Sequence, residues 1–129
     1  MYKDIEKKLI STLPDRALFD YEVIKYARML KIPHFIGVFS RDRLPVSPKQ
    51  KECAVVNLDT ENNAGTHWVA YKKNGENINY FDSFGNLPPP LELQKYFKNC
   101  NIKYNYKRHQ KFNTTNCGQL CLKFLTCSL

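Results

Sequence analysis

Residues 66–82 read Thr-His-Trp-Val-Ala-Tyr-Lys-Lys-Asn-Gly-Glu-Asn-Ile-Asn-Tyr-Phe-Asp, with two strand-like runs on either side of Asn74-Gly75. An Asn-Gly pair between such runs is a strong signal for a β-hairpin. His67 lies at the start of the first run, and Asp82 directly follows the second. Because a hairpin brings the start of one strand beside the end of the next, the pattern predicts that His67 and Asp82 lie at the same end of a sheet.

Patterns on both sides of this hairpin predict a single α+β domain. Residues 53–58 are mostly apolar, as expected of a buried strand, and residues 102–106 alternate like one more strand. Helical patterns occupy residues 4–12, residues 21–30 with Asp20 as the predicted N-cap, residues 91–98 and residues 117–125. We therefore expect one domain over residues 1–129, with a helical extension at 1–14 and a mainly antiparallel central sheet flanked by helices.

The composition favours a compact basic protein. The 129 residues include 20 lysines and arginines against 12 aspartates and glutamates, for a formal net charge of +8, and 43% of them are hydrophobic. This balance excludes wholesale disorder, a collagen-like chain and a coiled coil. The apolar runs are too short to cross a membrane, and the amphipathic N-terminus lacks the core of a signal peptide. We expect a soluble, intracellular monomer with no membrane partner.

The five cysteines are expected to be free thiols. They occupy irregular positions, and no Cys-x-x-Cys pair occurs. An odd number of cysteines without a secretory signal argues against a disulfide framework, and the spacing does not suit a zinc site. We therefore expect no metal site, and one of the thiols is available as a nucleophile.

Cys117 is the candidate nucleophile because it begins a predicted helix. Unpaired amides and positive potential at a helix N-terminus favour a thiolate. A thiolate paired with protonated His67, itself oriented by Asp82, is suited to acyl transfer. The backbone N–H of Cys117 and the side chain of Gln110 would hold the oxyanion. Gly118 removes a Cβ beside the nucleophile, which would let the substrate backbone approach.

Each of these residues also has a purely structural interpretation. A cysteine at a helix start is often a small apolar core residue, and a histidine in a strand is often buried with its hydrogen bonds satisfied. Asp82 could equally form a turn or a cap. The residues form a single mechanism only in combination, and general rules for nucleophiles do not fix their order along the chain.

Five segments carry a family resemblance that spans the chain from about residue 20 to its end. They are Phe35-Ile-Gly-Val-Phe39, Cys53-Ala-Val-Val-Asn57, Gly65-Thr-His-Trp68, Tyr80-Phe-Asp-Ser-Phe-Gly85, and Gln110 followed by Asn116-Cys-Gly-Gln-Leu-Cys121. In this order they resemble the adenovirus protease (adenain) family, with its relatives in Polinton/Maverick elements. That family shares its fold with the proteases that cut SUMO and other ubiquitin-like proteins.

The resemblance implies a cysteine endopeptidase that cleaves viral or mobile-element precursor proteins near glycine during particle maturation. It implies Cys117 as nucleophile, His67 as general base, Asp82 as its orienting acid and Gln110 as oxyanion donor. Trp68 would form a wall of the substrate channel. The seven-residue step from Gln110 to Cys117 is similar to the adenain branch, whereas the chain ends sooner after its nucleophile helix than adenain does.

The resemblance also implies activators, although the chemistry itself requires no cofactor. Adenain is activated by DNA and by a viral peptide disulfide-linked to a cysteine upstream of the nucleophile. Cys100 lies close to where that cysteine falls, and an ordinary thiol at a helix end is the alternative. Basic residues interleaved with Tyr104 and Tyr106 predict a DNA-binding patch, with a solvated basic face as the alternative: Lys103, Lys107, Arg108 and Lys111.

Two other functions compete with this one. A deubiquitinating or deSUMOylating protease would use the same site, and a catalytically dead basic DNA-binding scaffold would keep only the fold. If the protein is viral, we expect it in the virion or the host nucleus.

Overall fold

One five-stranded sheet forms the centre of the computed structural model, which describes residues 13, 16, 18–59, 67–108 and 117–126. The strands lie in the order of the chain: β1 (Phe35–Ser40), β2 (Lys51–Asn57), β3 (Trp68–Asn74), β4 (Asn77–Phe81) and β5 (Asn101–Tyr104). The helices of the described ranges are α1 (Asp20–Met29), α2 (Leu91–Tyr96) and α3 (Cys117–Thr126). The expected α+β class is confirmed.

Antiparallel pairing is confined to the middle of the sheet. β3 is antiparallel to both β2 and β4, whereas β1 pairs with β2, and β4 with β5, in parallel. The predicted hairpin is present, with Gly75 at φ +62° in its turn, a conformation glycine adopts at little cost. β4 and β5 run in the same direction, and β3 runs against them. The residues before β3, after β4 and after β5 therefore lie at the same end of the sheet.

β1 is a strand that the sequence patterns did not predict. Its register against β2 shifts between Phe35 and Gly37, and Gly37 has φ +139°. A glycine in the strand interior forms this irregularity and interrupts the alternation that would mark the segment as a strand.

The two faces of the sheet bury separate apolar clusters. α1 and α3 cover one face, where Cys121, Leu122 and Leu125 pack among Val55, Trp68 and Ala70. Cys121 is fully buried, as expected of core packing. α2 covers the other face through Leu93, with Phe97 beside it. The ring of Phe124 stacks on that of Phe81, with centroids 5.0 Å apart, which joins α3 to β4.

Glu52 is a buried carboxylate on the face covered by α2. It is 2% exposed and accepts hydrogen bonds from the hydroxyls of Tyr71 and Tyr96, at 2.5 and 2.8 Å. The backbone N–H of Lys49 donates to its other oxygen at 2.6 Å. These three donors satisfy a group that would otherwise be costly to bury.

The start of α1 is held by an ion pair rather than by Asp20, which is the first helical residue and not the cap. Glu22 accepts from the backbone N–H of Phe19 at 3.0 Å and from Arg16 at 2.8 Å through both of its oxygens. These bonds, that of Arg16 foremost, lower the pKa of Glu22 to about 2. The predicted helix at 4–12 lies outside the described residues. No helix of the described ranges is long and apolar enough to cross a bilayer.

Candidate active site

His67 and Asp82 meet at the predicted end of the sheet. His67 directly precedes β3 and Asp82 directly follows β4, and the distance from His67 Nε2 to Asp82 Oδ1 is 2.8 Å. Asp82 is 1% exposed, so its carboxylate is shielded from water. The backbone N–H of Phe84 donates to the same oxygen at 3.0 Å. The carboxylate therefore has a fixed orientation toward the imidazole.

The backbone of Asp82 is bound on both sides by the side chain of Asn105, the residue directly after β5. The N–H of Asp82 donates to Asn105 Oδ1 at 2.9 Å, and Asn105 Nδ2 donates to the carbonyl oxygen of Asp82 at 2.7 Å. Asn105 Nδ2 also donates to the carbonyl oxygen of Lys107 at 3.0 Å. The sequence patterns gave Asn105 no role because they extended the strand over it.

Cys117 is the first residue of α3 and lies against the start of β3. Its thiol is close to the backbone N–H of Trp68, which donates to Cys117 Sγ at 3.4 Å. Cys117 is 3% exposed, and it is a free thiol. The helix N-terminus and this amide both direct positive potential at the sulfur.

The environment of His67 favours its charged form. Burial lowers the pKa of His67, but its interactions with Asp82 and with Cys117 outweigh that effect and raise the pKa to about 9. Nε2 is engaged by Asp82, whereas Nδ1 is buried without a hydrogen-bond partner in the described part of the chain. Nδ1 is therefore the nitrogen available to exchange a proton with Cys117.

The other described cysteines are unlike Cys117 in their surroundings. Burial raises the pKa of Cys53 to about 11 and raises the pKa of Cys121 as well. Cys100 directly precedes β5 and is partly exposed, and its thiol lies 3.8 Å from the carbonyl oxygen of Lys98. Burial outweighs the charge of nearby Lys72 at Cys53, and neither thiol lies at a helix N-terminus, so Cys53 and Cys121 are packing residues.

Trp68 lines a cavity of about 290 Å³ together with Phe19, Val38 and Asn57. A larger cavity of about 490 Å³ lies between α1 and β1, away from Cys117. Gly118 is buried, and a Cβ on it would lie 3.4 Å from the side chain of Leu18 and 3.5 Å from that of Trp68. Its lack of a side chain thus allows close packing of α3, and the expected approach of a substrate backbone stays a prediction.

The remaining predicted residues are in part exposed and in part outside the described ranges. Lys103, Lys107 and Arg108 are exposed after and along β5. The rings of Tyr104 and Tyr106 lie 5.2 Å apart beside them. Gln110 and Lys111 fall outside the described residues. Within those ranges, no group of three or more His, Cys, Asp or Glu side chains is placed to hold a metal ion.

No protein-family model matches the sequence, and no curated protein matches it. The structure is similar to that of the SUMO protease Ulp1 with its catalytic cysteine oxidised to a sulfinic acid. The TM-score is 0.54 at 16% identity, covering 97% of this chain and 81% of Ulp1. A second Ulp1 structure, with the cysteine oxidised to a sulfonic acid, gives a TM-score of 0.55 at the same identity.

The ASFV pS273R protease is also similar, with a TM-score of 0.54 and 19% identity. The match covers 88% of this chain but only 58% of that protease. At such identities the likeness concerns the fold. The chain therefore has the α+β fold of the SUMO protease Ulp1 and the ASFV pS273R protease, the fold that the sequence resemblance implied.

Proposed function

We propose that this protein is a cysteine endopeptidase with Cys117 as nucleophile, His67 as base and Asp82 as the acid that orients it. One observation supports this above all others. The start of β3 places the His67–Asp82 contact of 2.8 Å directly beside the Trp68 N–H that donates to Cys117 Sγ. An imidazole that is hydrogen-bonded to a carboxylate and lies next to a thiol at a helix N-terminus is the arrangement that acyl transfer to sulfur requires.

The mechanism follows from the two nitrogens of His67. With its pKa at about 9, the ring is protonated at neutral pH and forms an ion pair with the Cys117 thiolate. Sγ attacks the scissile carbonyl carbon, and the oxyanion is held by the N–H of Cys117 and by Gln110. The proton on Nδ1 passes to the leaving amine as the peptide bond breaks. His67 then takes a proton from water, which attacks the thioester and releases the acid and the thiolate.

The substrates we propose are viral or mobile-element precursor proteins cut near glycine during particle maturation. Trp68, whose backbone N–H donates to Cys117 Sγ, lines a cavity of about 290 Å³, and we propose that the substrate chain lies there. The sequence resemblance supports the same substrate class. We place the enzyme inside the cell, in the virion or host nucleus, as a monomer of one domain over residues 1–129.

DNA and a viral peptide are the activators we propose, and the chemistry needs no cofactor. Lys103, Lys107 and Arg108 are exposed beside two exposed or half-exposed tyrosines, an arrangement suited to phosphates and bases. Cys100 is partly exposed and a free thiol, so it is available for a disulfide with a peptide.

A deubiquitinating or deSUMOylating activity is the second candidate. The match to the SUMO protease Ulp1 over 97% of this chain favours it. A DNA-binding scaffold without catalysis is the third candidate, and the exposed basic residues on and after β5 are the observation that favours it.

The decisive test follows the rate of iodoacetamide alkylation at each cysteine against pH by mass spectrometry. We expect Cys117 to react at a pH well below the ordinary thiol range of about 8.5, and His67→Ala to abolish that reactivity. His34→Asn is the matched control, because His34 is an exposed histidine at φ 59°, where asparagine is tolerated. The titration is repeated with DNA present, and if Cys117 reacts no faster than Cys100 in the wild type under either condition, the chain is not a cysteine protease of this type.

Substrate class is then separated by cleavage. A glycine-containing peptide and a folded ubiquitin-like protein with a C-terminal extension are each incubated with the wild type and with Cys117→Ala. Cleavage of the peptide supports the maturation protease, and cleavage of the folded fusion alone supports the second candidate. Cleavage of neither, with DNA binding intact in Cys117→Ala, supports the scaffold.

A further inference from the structure

Asn105 continues the pairing of β4 with β5 by means of its side chain. The backbone register ends with Tyr80 opposite Tyr104. One step further, the amide of Asn105 takes the place of a peptide group, accepting from the N–H of Asp82 at 2.9 Å and donating to its carbonyl oxygen at 2.7 Å. Asp82 thus stays hydrogen-bonded at a point where both strands have ended.

Only an amide of this length satisfies all of these partners. Asn105 Oδ1 faces one N–H, and Nδ2 faces two carbonyl oxygens, those of Asp82 and Lys107. Both hydrogens of the NH₂ group and its carbonyl oxygen are therefore used. An aspartate has nearly the same shape, but its carboxylate would face two carbonyl oxygens with no hydrogen to offer.

We propose that Asn105 is the positioning residue of the active site, holding the backbone of Asp82 so that its carboxylate aligns His67 with Cys117. Asn105 touches no reacting atom and acts only through Asp82. This assignment rests on the proposed protease function, and it explains why a buried aspartate after the end of a strand keeps one orientation. Movement of Asp82 would displace Oδ1 from Nε2 and let the imidazole turn away from the thiol.

The test compares the full-length wild type with Asn105→Ala and Asn105→Asp by the pH profile of Cys117 alkylation. Loss of alignment weakens the ion pair, so the onset of alkylation should move to higher pH in both variants. We expect alkylation near pH 6.5 to slow by about tenfold or more, since Asn105→Ala loses both hydrogen bonds to Asp82 and Asn105→Asp loses the one that Nδ2 donates to its carbonyl oxygen. Asn101→Ala is the control, because Asn101 is an exposed asparagine at the start of the same strand.

A double-mutant cycle distinguishes positioning from general damage to the fold. In an Asp82→Ala background, Asn105→Ala should change the alkylation rate of Cys117 no further, because its only route to the thiol has been removed. Additive losses in the double variant would overturn the proposal, as would an unchanged profile in both single variants. If His67→Ala leaves the alkylation rate of Cys117 unchanged, the proposed protease function is overturned, and the positioning role of Asn105 with it.

Discussion

The ring of Phe84 lies flat on the imidazole of His67, with centroids 4.2 Å apart and planes within 6° of each other. The same residue donates its backbone N–H to Asp82 Oδ1 at 3.0 Å. Phe84 therefore contacts both members of the pair, the base through its ring and the acid through its backbone. The stack restricts rotation of the imidazole and covers one of its faces against water.

Removal of this ring should slow catalysis without removing any hydrogen bond. We expect Phe84→Ala to lower kcat about tenfold, because the His67 ring gains freedom to leave the plane that faces Cys117. Phe84→Tyr keeps the stack and should retain activity. The measurement is peptide hydrolysis at saturating substrate, with Leu87→Ala, an exposed apolar residue in the same loop, as the control. Full activity in Phe84→Ala would show that Asp82 alone orients the base.

The raised pKa of His67 predicts a loss of stability at alkaline pH. The folded pKa of about 9 lies above the ordinary value of 6.5, so the folded state holds the proton more tightly. The resulting stabilisation is fully present below pH 6.5 and is lost as pH rises through 9. The free energy of unfolding should therefore fall across this window in the wild type and fall less in Asp82→Asn. The free energy of unfolding of His34→Asn should depend on pH as that of the wild type does. If the curve of Asp82→Asn also runs parallel to that of the wild type, Asp82 does not raise the pKa of His67.

Gln110 is predicted to supply a donor to the oxyanion. Gln110→Ala should lower kcat on the order of 10²–10³-fold, the usual effect of removing one such donor, with little change in KM. Gln50→Ala, at an exposed position, is the matched control. If kcat is unchanged in Gln110→Ala, Gln110 does not donate a hydrogen bond to the oxyanion.

DNA is expected to raise the activity at low salt, with the effect fading as salt increases. The double charge reversal Lys103→Glu with Lys107→Glu should remove this response. Lys95→Glu with Lys98→Glu changes the net charge equally at two other exposed lysines, and it should keep most of the response. If both double variants lose the activation by DNA to the same extent, the overall charge attracts DNA, rather than a basic patch on and after β5.

The sequence predicted best those parts of the fold that depend on neighbouring residues. The turn at Asn74-Gly75 fixed the hairpin, and the hairpin brought His67 to Asp82. The apolar pattern of α3 also placed Cys117 at a helix start, where the structure has it. Local chemistry sufficed for these elements because each contact lies within one hairpin or one helix.

The features that the sequence patterns missed depend on partners that are distant along the chain. β1 contains an irregularity at Gly37 that hides its alternation. Glu52 precedes the predicted strand at residue 53, and its burial depends on two tyrosine hydroxyls from β3 and α2. The role of Asn105 follows only from the parallel register of β5 against β4. No pattern within a short window carries this information.

The order of the elements along the chain has a kinetic consequence. β3 and β4 are joined by a two-residue turn, so their contacts close a short loop, whereas docking of α3 closes a long one. We expect the hairpin to be formed in the folding transition state and α3 to join later, with higher φ-values in the hairpin. Weakened packing of α3, as in Leu122→Ala, would then mainly accelerate unfolding. The nucleophile would be withdrawn by local opening of one helix while the acid–base pair stayed assembled on the sheet.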